Sequence, residues 1–237
     1  MEILNYRRGI QNARRSTGAL ALLCCVSVGT VLGSSLTIGS DNASSAFPFG
    51  GPFYGNTGTE YQEAYSGSDF SGPVSITGID FFLANGFSGS LYGGTYTLSL
   101  SVISSDIGSL SSSDLASNVG SDDTVFESVA LSGAAPNMLT FTGAPFLYNP
   151  SEGNLLLDIS IAGGSGGSGV AFEENNGVGD SLARYQNFGT NNGDGYGLVT
   201  QFDSSSAADT PEPGMLAFLA CGLAAMALAG RLRRRSN

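Results

Sequence analysis

Three acidic pairs have the residue types and spacing for chemistry: Glu60 with Glu63, Asp122-Asp123 and Glu173-Glu174. Two carboxyl groups flanking a sugar bond, one with a raised pKa, are the machinery of glycoside hydrolysis. Adjacent residues of a strand point to opposite faces, so Glu173 and Glu174 do not converge by spacing alone. Solvated acids on a protein surface explain all three pairs more simply, and no catalytic residue is assigned. Asn191-Asn192-Gly193-Asp194-Gly195 offers oxygen ligands of the calcium-loop kind, with Asn192 and Asp194 foremost. Its spacing departs from the EF-hand loop, and Asx-Gly sequences mostly mark turns. No resident metal or cofactor is expected. Phe47, Phe49, Phe53, Tyr54, Tyr61 and Tyr65 are candidates for a sugar-stacking face, with core packing and an N-terminal strand the expected role of most of them.

Missing residue types exclude more than the present ones suggest. His, Lys and Trp are absent, and Cys24, Cys25 and Cys221 lie near the two ends. The intervening chain therefore has no Ser-His-Asp triad, thiol nucleophile, His-ligated metal or Lys chemistry. It also has no disulfide, so one core must hold it. All nine basic residues are arginines, and only Arg184 lies between residues 36 and 210. That part is far more acidic than the whole-chain charge of −11 implies, and nucleic-acid binding is excluded.

The elements that must position these residues read as strands. Short runs rich in Val, Ile, Phe, Tyr and Thr alternate with Gly, Asn and Asp clusters, the pattern of an all-β sandwich or barrel. Val74–Leu83 carries a face shift at Gly78 that predicts a bulge. In Thr95–Ile103, Tyr96, Leu98, Leu100 and Val102 point one way and Thr and Ser the other. Thr124–Leu131, Met138–Thr142, Leu182–Phe188 and Gly197–Phe202 complete the set around Leu155–Ile161, whose apolar run predicts a central strand. Ser104–Asp123 reads as a polar loop with one turn near Leu110–Leu115. Gly163–Gly169 reads as a long loop within one domain rather than a linker.

Both ends read as addresses. Arg7, Arg8, Arg14 and Arg15 precede an apolar stretch, Ala19 to Leu32, which is a secretory signal peptide. It is assigned to residues 1–35, with cleavage after Ser35 or as late as Ala46, and it directs the chain to the Sec translocon. The exported domain then spans 36–203, and Ser204–Thr210 reads as a linker. Pro211-Glu212-Pro213 disfavours helix and stays extended. Gly214–Gly230 is an uncharged stretch at the short end for a transmembrane helix. Arg231, Arg233, Arg234 and Arg235 form a cytoplasmic stop.

Triplet, span and basic cluster in this order resemble the PEP-CTERM sorting signal of Gram-negative bacteria, also called the ice-binding protein C-terminal motif. The resemblance implies recognition of residues 211–235 by an exosortase-type membrane protease and cleavage near Pro211–Pro213. It also implies transient inner-membrane anchoring, then the cell surface or extracellular space, often beside exopolysaccharide and biofilm. Thr95–Leu100, Leu139–Gly143, Phe146–Pro150 and Gly153–Ile159 are similar to ectodomains of PEP-CTERM proteins. Together with the aromatic strand Ile79–Leu83, they imply a single jelly-roll-like β-sandwich. The expected role is structural or adhesive rather than enzymatic; a carbohydrate-binding module is the alternative, and a glycoside hydrolase or lyase a weaker one.

Overall fold

The computed structural model describes residues 33–50, 60–177, 182–186 and 192–206. Residues 1–32 of the expected signal peptide (1–35), the expected sorting triplet Pro211–Pro213, the expected span 214–230 and Arg231–Arg235 lie outside the described residues, as do Phe53 and Tyr54. Among the described residues, no helix is long and apolar enough to cross a membrane.

The described chain is all-β, with sheets in a sandwich-like arrangement. Its strands are β1 (Ser34–Ile38), β2 (Ala43–Ser45), β3 (Glu60–Tyr65), β4 (Val74–Phe82), β5 (Ser90–Ile103), β6 (Thr124–Ala134) and β7 (Met138–Tyr148). They continue as β8 (Asn154–Ser165), β9 (Phe172–Asn176), β10 (Leu182–Gln186), β11 (Asn192–Asp194), β12 (Tyr196–Leu198) and β13 (Thr200–Ser206). One sheet has the order β1-β13-β4-β7 and a second has β11-β10-β3-β8-β5-β6. A small third sheet has the order β12-β9-β2.

Alternation along the strands builds the core. Ile76, Ile79 and Phe81 of β4, Phe141 of β7 and Phe202 of β13 are buried in one cluster with Tyr61, Tyr96, Leu98, Leu157 and Ile159 of the larger sheet. Phe49 joins all three sheets: its ring centroid lies 5.0 Å from Phe81, 5.5 Å from Tyr96 and 5.3 Å from Phe172. Each such ring pair adds about 0.5–1.5 kcal/mol beyond area burial. The apolar run of β8 lies between β3 and β5, the interior position its composition predicts. The register of β4 against β7 shifts between Ile76 and Gly78, so the expected bulge is present.

Several expectations change. The Ser face of β5 is covered: Ser99 and Ser101 are buried. The cover is the segment expected to be a polar loop, residues 104–123, which holds two 3₁₀ turns, Ile107–Ser109 and Leu115–Asn118. Its Ile107, Leu110 and Val119 pack on Ala64, Ile103 and Leu156, and Leu115 packs on Ala183 and Tyr185. A polar-looking segment thus roofs the outer face of the six-stranded sheet by placing four aliphatic residues on it.

The glycine-rich 163–169 segment belongs to the same unit, and β8 runs into it as far as Ser165. A Cβ on Gly164 would meet the Tyr92 ring at 2.0 Å, so glycine permits the close approach. At the other boundary, β13 pairs with β4 through Ser206, so residues 204–206 are strand rather than linker. β1 starts at Ser34 and contributes the buried Ile38.

Candidate functional site

Strand β3 carries the most concentrated polar chemistry in the described chain. Its sequence EYQEAY is buried almost throughout, with Tyr61, Glu63 and Tyr65 on the inner face and Gln62 and Ala64 on the outer. Glu60 and Glu63, three residues apart, therefore lie on opposite faces and cannot act on one bond.

Glu63 has no solvent exposure. Its Oε1 accepts from the Tyr61 hydroxyl and from the Leu198 N–H at 2.5 Å. Its Oε2 accepts from the Tyr65 hydroxyl at 2.5 Å and from Thr200 Oγ1 at 3.2 Å. Burial pushes the carboxyl pKa up, and these four donors pull it back. Burial also lifts the Tyr61 and Tyr65 phenols well above their ordinary value, with the Glu63 charge adding to the effect. With both oxygens occupied, the carboxyl ties β3 to β12 and β13 and leaves no acceptor for a substrate.

Arg184 of β10 stands directly opposite Glu63 in the register. Its Nη1 lies 2.6 Å from Glu174 Oε1, and both residues are 8% exposed. The same nitrogen donates to Ser45 Oγ at 3.1 Å. The guanidinium sits 5.5 Å from the Tyr196 ring centroid and 6.0 Å from that of Phe47. Arg184 thus clamps all three strands of the small sheet, β2, β9 and β12, to the large one.

The structure separates the other sequence pairs. Glu174 is buried in that ion pair, while its neighbour Glu173 is only half-buried. Burial raises the Glu173 pKa, with a contribution from Asp41. Asp122 Oδ1 accepts the Val102 N–H at 2.9 Å, an anchor for the roof segment. Burial raises the pKa of Asp123, and Asp122 adds to it. Asn192 and Asp194 fall in β11, paired along the backbone with Gln186 and Arg184, so the expected tight loop is an edge strand there. Among the described residues, no group of three or more acidic, His or Cys residues is arranged to hold a metal. Phe49, Tyr61 and Tyr65 are core residues with no exposure, which removes them from a sugar-stacking face.

One acidic pair does converge, and sequence spacing did not reveal it. Glu60 and Asp158, on neighbouring strands of the outer face, share a hydrogen bond. Burial and the Asp158 charge push the Glu60 carboxyl up to about 6. Asp158 is also raised, first by burial, although Gln62 donates to its Oδ1 at 2.9 Å. A carboxyl pair in hydrogen-bond contact is closer than the roughly 5–5.5 Å that a retaining glycosidase uses and leaves no room for a sugar bond. Gln62 extends the network into the roof, donating to Leu115 O at 3.0 Å and accepting from Asn118 Nδ2 at 2.9 Å. The signal for the inner knot was present in Tyr61, Glu63 and Tyr65 at alternate positions. The signal for the ion pair was one arginine in an otherwise cation-free stretch.

The chain matches no protein-family model and no curated protein.

Proposed function

We propose that this is an exported bacterial protein, sorted through Pro211-Glu212-Pro213, the apolar segment 214–230 and Arg231–Arg235, with a structural or adhesive role at the cell surface or in the extracellular matrix. The observation that carries the reading is the ordered triplet, apolar stretch and arginine cluster, in a chain whose N-terminal segment has the n-region and h-region of a signal peptide. The Sec translocon and an exosortase-type protease are its processing partners, and exopolysaccharide is its neighbour outside the cell. The inner-membrane stage is transient.

The exported domain is a jelly roll in this reading. Taking β1, β3, β4, β5, β6, β7, β8 and β13 as eight consecutive strands, the first, eighth, third and sixth form one sheet. The second, seventh, fourth and fifth form the other. That is the double Greek-key order of jelly rolls, with β2 inserted after the first strand and β9 to β12 before the last. Jelly rolls also serve as lectin domains, which keeps a carbohydrate-binding module as the second reading. Glu63 and Glu174 hold strands, Asp122 holds the roof, and Glu60 and Asp158 hold each other, which favours a non-enzymatic cargo over a hydrolase or lyase.

Cleavage after Ser35 fits the fold better than cleavage after Ala46, because the later cut would remove β1 and β2, including the buried Ile38 and Ser45. Intact-mass analysis of the protein recovered from the medium and cell surface tests the route. The expected species lacks residues 1–35 and ends near Pro213. A mature form that still carries 214–237 would overturn the sorting reading.

A further inference from the structure

The first and last strands of the sandwich meet at one end of it. β1 starts at Ser34 and β13 stops at Ser206, and the two run antiparallel with Ser34 opposite Ser204. The two serine hydroxyls lie 3.1 Å apart, and Ser204 Oγ also lies 3.3 Å from Ser34 O. Val74 opens β4 opposite Ser206, and Tyr148 closes β7 opposite Val74. In the larger sheet Tyr65 closes β3 opposite Leu155 of β8. The connections 66–73 and 149–153 therefore cap this same end. Asn154 locks the cap: its Oδ1 accepts the Gly67 N–H at 2.9 Å, and its Nδ2 donates to Ser105 O at 2.9 Å. A Cβ on Gly67 would stand 3.0 Å from both Gly153 O and Pro150 O, so the two loops are in close contact. Ser68, Ser71, Ser151 and Glu152 are exposed on the cap, and neither loop contains a basic residue.

We propose, resting on the export reading above, that this capped end is the face the domain turns to the lipid bilayer for as long as either targeting segment is attached. On the N-terminal side the apolar stretch Ala19–Leu32 runs into Gly33 and β1 without a spacer. On the C-terminal side residues 207–213 allow at most about 25 Å of extended chain between β13 and the apolar segment. The antiparallel register of β1 and β13 puts both tethers on one end, so they hold the domain upright together. A parallel β1 would have sent them to opposite ends. Both expected cleavage regions, Ser35 and Pro211–Pro213, then lie at the membrane surface, within reach of membrane proteases. The cap suits a hydrated headgroup layer, since its exposed side chains are polar. Leu147, 71% exposed and one residue before the end of β7, adds an apolar contact. The tethers supply the attachment. Arg184, the only basic residue between 36 and 210, is buried, so the acidic domain has no cation with which to stay on anionic lipid once both are cut.

Absence of cysteine between residues 26 and 220 makes the test selective, because one introduced thiol is the only one outside the two targeting segments. Ser71→Cys and Ser151→Cys mark the two loops of the cap, and Ser88→Cys marks an exposed loop at the opposite end. Each is made in the full chain, with Pro211 and Pro213 replaced by Ala so that intact mass shows 214–237 retained. Spheroplasts are treated with a maleimide carrying a bulky polyethylene glycol. On the membrane-held chain, Ser71→Cys and Ser151→Cys should react several-fold more slowly than Ser88→Cys. On the chain released with its natural Pro211 and Pro213, all three should react alike. Equal rates on the membrane-held chain overturn the proposal and leave the export reading standing. Slow reaction at Ser71→Cys that persists after release assigns the shielding to the domain itself and also overturns it. A tail-retaining chain that is absent from the membrane, or that no site labels from outside, defeats the export reading as well.

Discussion

Glu60 and Glu63 are the same amino acid on the same strand, yet the fold uses them in opposite ways. Glu63 faces inward, and four donors converge on it from three strands. Glu60 faces outward, is half-buried, and meets another carboxyl. The inner acid is a fastener: its removal strands the Leu198 N–H and the two phenols in a closed interior. The outer acid is a local repulsion tolerated because a shared proton relieves it. Strand alternation, a property of the backbone, decides which acid is which.

The largest effect expected comes from the inner knot. Glu63→Ala should destabilise the domain by about 3–5 kcal/mol in denaturant unfolding, because it leaves buried donors unpaired and a void. Arg184→Ala should cost about as much, roughly 3–5 kcal/mol, by taking the cation away from the buried Glu174 carboxylate. Joint replacement of Arg184 and Glu174 by Met should recover most of that loss, since apolar substitutes for a buried ion pair are often neutral. A double variant as unstable as Arg184→Ala would show that Arg184 acts through packing on Phe47 and Tyr196 instead.

Intermediate effects belong to the link between the faces. Gln62→Ala removes bonds to Leu115, Asn118 and Asp158 and should cost about 1–3 kcal/mol. Its signature is faster hydrogen exchange in residues 104–123, with the inner strands keeping their relative protection. Uniform acceleration across the domain would mean that the roof and the sandwich open together.

The smallest effect is the pH dependence of the outer pair. A carboxyl whose folded pKa lies above its unfolded value contributes stability that is complete below the unfolded pKa. That stability disappears as pH rises through the folded pKa. For Glu60 the window runs from 4.5 to about 6. Allowing for solvent screening at this half-exposed site, the loss is about 1 kcal/mol. Glu60→Gln should flatten that part of the stability profile and leave the domain slightly more stable near pH 8. An unchanged profile would assign the slope to Asp158 or Glu63.

How much of this was legible in the sequence follows from how polar each element is. β5 and β8 announce themselves because their inner positions are uniformly apolar, and Gly78 marks the bulge because it interrupts alternation. β3 does not, since EYQEAY carries polar side chains on both faces and both faces are covered. β1, β2 and β9 are short and rich in Ser, Glu and Asn, and only pairing partners reveal them. The roof was hidden by its serines, although Ile107, Leu110, Leu115 and Val119 are the aliphatic residues that hold it down. Glu60 and Asp158 meet across strands distant in sequence, a contact that no local spacing encodes. Glu173 and Glu174 were readable by alternation alone: one is buried with Arg184 and the other is not.

Equilibrium unfolding of Glu60→Ala and Glu63→Ala at pH 8 tests most directly the claim that the acids of this domain serve the fold by face. The account predicts a loss of about 3–5 kcal/mol for Glu63→Ala and a change within about 1 kcal/mol, neutral or stabilising, for Glu60→Ala. Equal destabilisation by the two substitutions, or a stable Glu63→Ala domain, would contradict it.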